Sequence, residues 1–213
     1  MTEIVLIRHG ETSWNFAARL QGHLDIPLNA RGVEQARRLA QALGDEVFDA
    51  VIASDLQRAF DTAQAIAAPR AMRVLVDSNL RERCFGAFEG LLYADIESHF
   101  PQAWQDWKTR AIDARYPAGV RVAETLREFS ARSLDSVFGH ARAHPGKKIA
   151  IVTHGGVLDC VYRAAAQIAL DRPRDFDIMN TGVNRFVLEG DRVTLVRWGD
   201  ISHLAQPSLD ELA

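Results

Sequence analysis

Two histidine-glycine pairs, each placed directly after an apolar run, are the residues of this chain best equipped to do chemistry. Arg8-His9-Gly10-Glu11-Thr12 follows the run Ile4 to Ile7, and His154-Gly155-Gly156 follows Lys148 to Thr153. Runs this short and rich in β-branched residues read as buried strands, and the glycine behind each breaks the strand at its carboxyl edge. Crevices along that edge are where open α/β sheets bind ligands. Arg8 leaves the first strand, His154 leaves another, and Arg58 falls one helical turn beyond a third strand, so the three side chains and His9 can converge. Such a pocket is strongly cationic. Guanidinium groups present paired donors matched to phosphate oxygens, which makes a phosphoryl group the expected guest.

An imidazole in that pocket can attack phosphorus, dividing one transfer into two through a phosphohistidine, while the flanking cations stabilise the equatorial oxygens. No metal and no cofactor are needed for this chemistry. The departing oxygen needs a proton, and Glu82 in Leu80-Arg81-Glu82-Arg83 is the carboxyl candidate. The same group could then activate water.

The elements that must position these residues alternate between strand and helix signals. Alternation of this kind argues for a mostly parallel sheet covered on both faces, an α/β fold. Val33, Ala36, Leu39, Ala40 and Leu43 have helical spacing, ended by Gly44, and Asp49 to Ala53 reads as a strand. Leu56, Ala59, Phe60, Ala63, Ile66 and Ala67 form the next helical stripe, with Ser54-Asp55-Leu56-Gln57 as a capping box that would start it. Arg73 to Val76 is a further strand. Leu126, Phe129, Leu134, Val137 and Phe138 predict a long helix before Pro145, and Val157 to Leu170 predicts another. Asn184 to Leu188 and Arg192 to Arg197 flank Glu189-Gly190-Asp191 as a closing hairpin. The segment from about residue 80 to 119 breaks the rhythm and is expected to fold over the site as a lid or specificity insertion. No repeat or linker divides the chain, so residues 1–213 are expected to form one domain.

Composition bounds the partners. The 213 residues are 47% hydrophobic with a formal net charge of −3, and their mixed charges offer no stripe for nucleic acid or an anionic membrane. Two cysteines, Cys84 and Cys160, lie far apart without metal-ligand spacing, which fits a reducing compartment. With no signal segment or membrane-spanning run, a soluble cytoplasmic protein is expected. The oligomeric state is not legible.

At this point the motifs resemble those of a known family. Arg8-His9-Gly10-Glu11-Thr12 with Trp14-Asn15, then Leu20-Gln21-Gly22, Asp25-Ile26-Pro27-Leu28-Asn29 and Arg31-Gly32, are similar to the histidine phosphatase superfamily, the phosphoglycerate mutase-like enzymes. Ala53 to Ala59, Leu80-Arg81-Glu82, Phe85 to Gly90, Val152 to Gly156 and Asp200 to Leu204 continue the resemblance along nearly the whole chain. It implies a three-layer α/β/α sandwich with a mostly parallel mixed sheet, transient phosphorylation of His9, and Glu82 as proton donor and acceptor. Arg8, Arg58 and His154 would complete the phosphate pocket. Asn15, Gln21, Gly22 and Gly155 would add neutral donors. Cys84-Phe85 and Val122-Ala123-Glu124-Thr125 depart from the family's usual residues at those points.

Each residue also has a plainer reading. Taken singly, His9 and His154 are strand-end histidines, Arg58 is a solvated helix residue, and Glu82 sits in a surface ion pair of small energetic weight. Their order in one pattern is what favours chemistry. His140 and His144 have ligand-like spacing but no third ligand, and the solvated reading is preferred. His203 is a candidate for the pocket rim, Trp104 and Trp107 for lid packing, and Cys84 for an inert wall. Lys108, Arg110 and Arg115 either meet a second anionic group or are simply solvated.

The short connection from Glu82 to His154 leaves little chain to seal the site from water, and Phe85-Gly86-Ala87-Phe88-Glu89-Gly90 resembles the phosphatase branch. The leading expectation is therefore a phosphomonoesterase acting on a small phosphorylated metabolite. Cofactor-dependent phosphoglycerate mutase-type phosphoryl transfer, an isomerase activity, is the alternative. A catalytically silent phosphate-binding protein is the third possibility.

Overall fold

In the computed structural model, which describes residues 1–204, every strand joins one six-stranded sheet. The chain runs through β1 (Thr2–Arg8), α1 (Ser13–Phe16), α2 (Ala30–Ala42), β2 (Ala50–Ala53), α3 (Gln57–Ala67) and β3 (Val74–Val76). It continues through α4 (Tyr93–His99), α5 (Pro101–Lys108), α6 (Leu126–Ala143), β4 (Lys148–Thr153), α7 (Gly155–Ala166), β5 (Val183–Glu189) and β6 (Arg192–Asp200). The strand order is β3-β2-β4-β1-β5-β6. The β1-β4, β2-β4 and β2-β3 pairs are parallel, whereas β5 and β6 close the sheet antiparallel.

The alternation of side chains along a strand builds the three layers. Ile4 and Leu6 of β1 pack with Ile52, Ile149 and Ile151 under α6 and α7, contributing to a core with Phe129, Val137, Val157 and Val161. Val5 and Ile7 face the other way and join Val51, Ala53 and Val152 under α2 and α3, with Leu39, Ala63 and Ile66. The result is an α/β/α sandwich. A third, smaller cluster lies outside both layers, made of Leu20, Phe85, Phe88, Ile96, Tyr116 and Ala123 with Trp104 and Trp107 packed against it. It comes largely from the segment that broke the strand-helix rhythm.

Some sequence expectations are corrected. Ser54-Asp55-Leu56-Gln57 does not form a capping box: α3 starts at Gln57 with Leu56 as its cap residue, and the Gln57 amide is capped instead by the Asp25 carboxylate at 2.7 Å. A carboxylate from a distant loop has replaced the local hydroxyl. The reciprocal capping boxes are Thr12 with Asn15 and Thr125 with Glu128. Helix α7 begins at Gly155 and ends at Ala166, short of Leu170, because Gln167 adopts a left-handed φ of 55°. Val33, expected on the apolar stripe of α2, is exposed, since the buried face is carried by Gln35, Ala36 and Leu39.

Candidate active site

Register brings the two histidines together. In the parallel β1-β4 pair Arg8 stands opposite Thr153, so His9 and His154 leave the sheet as neighbours. The His9 amide still donates to the Thr153 carbonyl at 2.9 Å. Their rings lie with centroids 5.1 Å apart, tilted by 59°. Both are buried.

The His9 ring has a defined orientation and tautomer. Nδ1 lies 2.7 Å from the Gly10 carbonyl oxygen, which can only accept, so Nδ1 carries the proton and the neutral ring keeps its lone pair on Nε2. Burial above all, and then the fields of Arg58 and Arg8, hold the His9 pKa well below the usual histidine value, against the opposing bond to Gly10. The ring is therefore uncharged at neutral pH. His154 is shifted in the same direction, by burial first and then by Arg58 and His9. Neither of its ring nitrogens has a hydrogen-bond partner among the described residues.

Backbone carbonyls aim the arginines. Arg8 donates to the Ile178 carbonyl at 2.7 Å. Arg58, in the first turn of α3, donates to the carbonyls of Leu24 and Gly22, both at 2.8 Å. Carbonyl partners fix the direction in which a guanidinium points. Thr62 ties α3 to the loop after His9, accepting from the Gly10 amide at 3.0 Å while donating to the Arg58 carbonyl at 2.8 Å.

Glu82 is held by amides rather than by the arginines beside it. One carboxylate oxygen accepts from the Arg83 amide at 2.7 Å and the other from the Gly156 amide, in the first turn of α7, at 2.9 Å. Arg81 instead forms a two-point pair with Asp55, and Arg83 turns to the Glu124 carbonyl and the Tyr116 hydroxyl. Gly156 must lack a side chain here, because a Cβ would sit 2.2 Å from Glu82 Oε1. His23 and Arg132 clamp the Glu82 carbonyl, at 2.7 and 3.3 Å. Glu124, part of the departure from the family pattern, pairs with Arg132 and accepts from the Cys84 amide at 2.9 Å. Cys84 itself is buried, and burial raises its pKa, as expected of an inert wall residue.

These groups open on a cavity of about 120 Å³. Arg8, His9, Gln21, Gly22, Arg58, Glu82 and Gly155 line it. His154 packs behind His9 instead of on the wall. Asn15 is buried beside the cavity in the cap of α1, where its carboxamide oxygen accepts from the Thr12 amide at 2.8 Å. His203 lies beside Arg37 and Arg38 in a separate shallow hollow, with its ring 3.2 Å from the Thr181 hydroxyl. His140 bonds to Asp77 at 2.9 Å, and no group of three or more metal-ligating side chains is found among the described residues. Of the three basic candidates in the insertion only Arg110 lines the cavity; Arg115 pairs with Glu128, and Lys108 lies over the Trp104 ring. Trp107 lines the cavity while stacking on Phe85 at 5.3 Å. Sequence reasoning missed Arg19, Arg83, Tyr93, Tyr116, Asp159 and Arg174, which complete much of the wall. Only the Asp159-Arg163 spacing, an i,i+4 ion pair, was a readable signal among them.

The chain belongs to the histidine phosphatase superfamily (branch 1), whose family model matches residues 4–201. It is similar to phosphoglycerate mutase-like protein 4 of Arabidopsis thaliana, with 41% identity over 207 residues, 96% of this chain and 87% of that protein. A metal-independent phosphoserine phosphatase, also from Arabidopsis thaliana, is 36% identical over 210 residues, covering 96% of this chain and 84% of that protein. Among solved structures, YhfR of Bacillus stearothermophilus superposes with a TM-score of 0.87 at 31% identity, covering 95% of this chain and 99% of that one.

Proposed function

We propose that this protein is a phosphomonoesterase that hydrolyses a small phosphorylated metabolite through a phosphohistidine on His9. Its Nε2 lone pair attacks phosphorus while Glu82, protonated, gives its proton to the departing alkoxide, so the P–O bond breaks as the P–N bond forms. Glu82, now a carboxylate, then takes a proton from water as that oxygen attacks phosphorus, which releases inorganic phosphate and restores His9. Arg8 and Arg58 balance the charge on the equatorial oxygens, and the neutral His154 ring holds the nucleophile in place.

The observation that carries this reading is the pairing of a neutral imidazole, its Nδ1 fixed to the Gly10 carbonyl, with two guanidiniums oriented by carbonyls on one cavity wall. Its size supports a metabolite: at about 10–15 Å³ per water-sized position, 120 Å³ holds roughly ten non-hydrogen atoms. The related phosphoserine phosphatase supports hydrolysis, and the mutase-like relative keeps phosphoryl transfer between acceptors as the second reading.

Phosphate release from a panel of phosphomonoesters, with acid-quench trapping of labelled phosphoenzyme, tests the proposal. The wild type should release phosphate and form an acid-labile phosphoenzyme, and His9→Ala should do neither. Undiminished hydrolysis by His9→Ala refutes the mechanism, and isomerisation without phosphate release would establish the mutase.

A further inference from the structure

Three consecutive peptide units carry the chain from His9 to the cap of α1, and each is hydrogen-bonded at both ends. In the His9-Gly10 unit the carbonyl accepts from the Asn180 side-chain amide at 2.9 Å, and the Gly10 amide donates to the Thr62 hydroxyl at 3.0 Å. In the Glu11-Thr12 unit the carbonyl accepts from the Asn29 amide at 3.0 Å, and the Thr12 amide donates to Asn15 at 2.8 Å. The Gly10-Glu11 unit between them differs in what it meets. Its carbonyl faces Nδ1 of His9 at 2.7 Å, and its amide donates to Gln35 Oε1 at 2.8 Å. One end of this unit touches the His9 ring and the other is held by a side chain of α2.

That single bond can direct the carbonyl, for a geometric reason. A trans peptide is planar, with its C=O and N–H pointing in opposite directions, so turning one end turns the other. Gly10 has no side chain to resist such a turn and has the freest backbone of the three. With the Glu11 N–H aimed at Gln35, the Gly10 C=O is aimed at the His9 ring. Which nitrogen of a neutral histidine carries the proton is set by such a partner. A carbonyl turned away from Nδ1 would release the ring to place its proton on Nε2 in part of the molecules, where no lone pair remains for attack.

Gln35 occupies its place at a cost that the bond offsets. It lies on the buried face of α2 with Ala36 and Leu39, where a carboxamide is unfavourable unless it is hydrogen-bonded. Two glycines bring the helix within reach. A Cβ on Gly10 would stand 2.6 Å from the Gly32 carbonyl oxygen, and one on Gly32 would stand 2.0 Å from the Glu11 carbonyl oxygen. Backbone therefore packs directly on backbone, and the side chain one turn further along α2 meets the Glu11 amide.

We propose that Gln35 is a positioning residue, which holds the Gly10-Glu11 peptide so that the Gly10 carbonyl keeps the His9 proton on Nδ1 and the lone pair on Nε2. Its effect on rate rests on the phosphohistidine reading above; its effect on the ring does not.

The test reads the ring directly, by two-bond nitrogen-proton NMR correlations of the neutral His9 side chain in the full-length protein. The wild type should show the Nδ1-protonated form. Gln35→Met, close in shape but without the acceptor, should show a mixture of both tautomers and form phosphoenzyme on the order of 100-fold more slowly. Inorganic phosphate should bind that variant as tightly as the wild type, because Arg8 and Arg58 are oriented by the carbonyls of Ile178, Leu24 and Gly22. Gln35→Glu, which keeps an oxygen in the same place, should restore the single tautomer and most of the rate. Should circular dichroism show Gln35→Met unfolded, Gln35→Asn, which withdraws the acceptor by one methylene, carries the same expectation. A ring protonated on Nδ1 alone in a folded variant without the acceptor, or an undiminished rate where the tautomers are mixed, overturns the assignment. Mixed tautomers in the variant beside a wild type that forms no phosphoenzyme would instead preserve it and overturn the phosphohistidine reading.

Discussion

Gly156→Ala tests the proton-transfer role proposed for Glu82 without touching its carboxyl. A Cβ at position 156 would stand 2.2 Å from Glu82 Oε1 and 2.9 Å from the Phe129 ring, where ordinary contact needs about 3.5 Å. Phe129, on the buried face of α6, is fixed in the core, so the flexible Glu82 side chain gives way, by about 1 Å. That displacement breaks or lengthens its 2.9 Å bond from the Gly156 amide. A catalytic group misplaced by about 1 Å costs on the order of 100-fold in rate, and complete loss of general acid-base catalysis costs about 100- to 10,000-fold. The loss should fall on the step that needs the proton. With an alkyl phosphate, whose leaving group cannot depart unprotonated, kcat should drop about 100-fold, and with nitrophenyl phosphate by less than about 10-fold, matching the pattern of Glu82→Gln. The overpacking costs about 1–3 kcal/mol, offset in part by about 1 kcal/mol of helix propensity gained at that position, so the variant should remain folded. Steady-state kinetics across a leaving-group series, with thermal unfolding followed by circular dichroism, measure both quantities. An equal loss for good and poor leaving groups, or no loss, would show that Glu82 is not the acid held by that amide.

Two further outcomes follow from the same geometry. His9, His23, His154 and His203 all have pKa values lowered by burial from 6.5, so the unfolded chain binds more protons than the folded one below that pH. Stability should be complete above 6.5 and fall as pH drops below it, and a melting temperature unchanged between pH 7.5 and 5.5 would contradict the buried neutral state. Activity should survive exhaustive chelation, because arginines supply the charge a metal would; loss on chelation with recovery on adding a divalent cation would refute this.

Much of the framework was readable from local pattern. The apolar runs of β1 and β4 are buried on both sides of a parallel sheet, and a strand so placed has little alternative as a run of Ile, Val and Ala. The β5-β6 hairpin was marked by Glu189-Gly190-Asp191, where Gly190 takes a φ of 58°. The start of α3 was misread because its cap comes from Asp25, far away in sequence. For Asn15 the carboxamide oxygen is fixed by the bond from the Thr12 amide in the cap of α1, a partner that the residue type alone does not specify.

The sequence by itself determined which chemical groups stand at the sheet's carboxyl edge, since strand propensity and the glycines after Arg8-His9 and His154 act over a few residues. Tertiary structure alone decided their state and their neighbours. The tautomer and neutrality of His9 come from burial and from the carbonyl it meets, the orientation of Glu82 from an amide of a helix 74 positions away, and the reach of Arg110 from an aspartate on another element. Desolvation and hydrogen-bond direction depend on what surrounds a side chain in three dimensions, and no local window of the chain contains those surroundings.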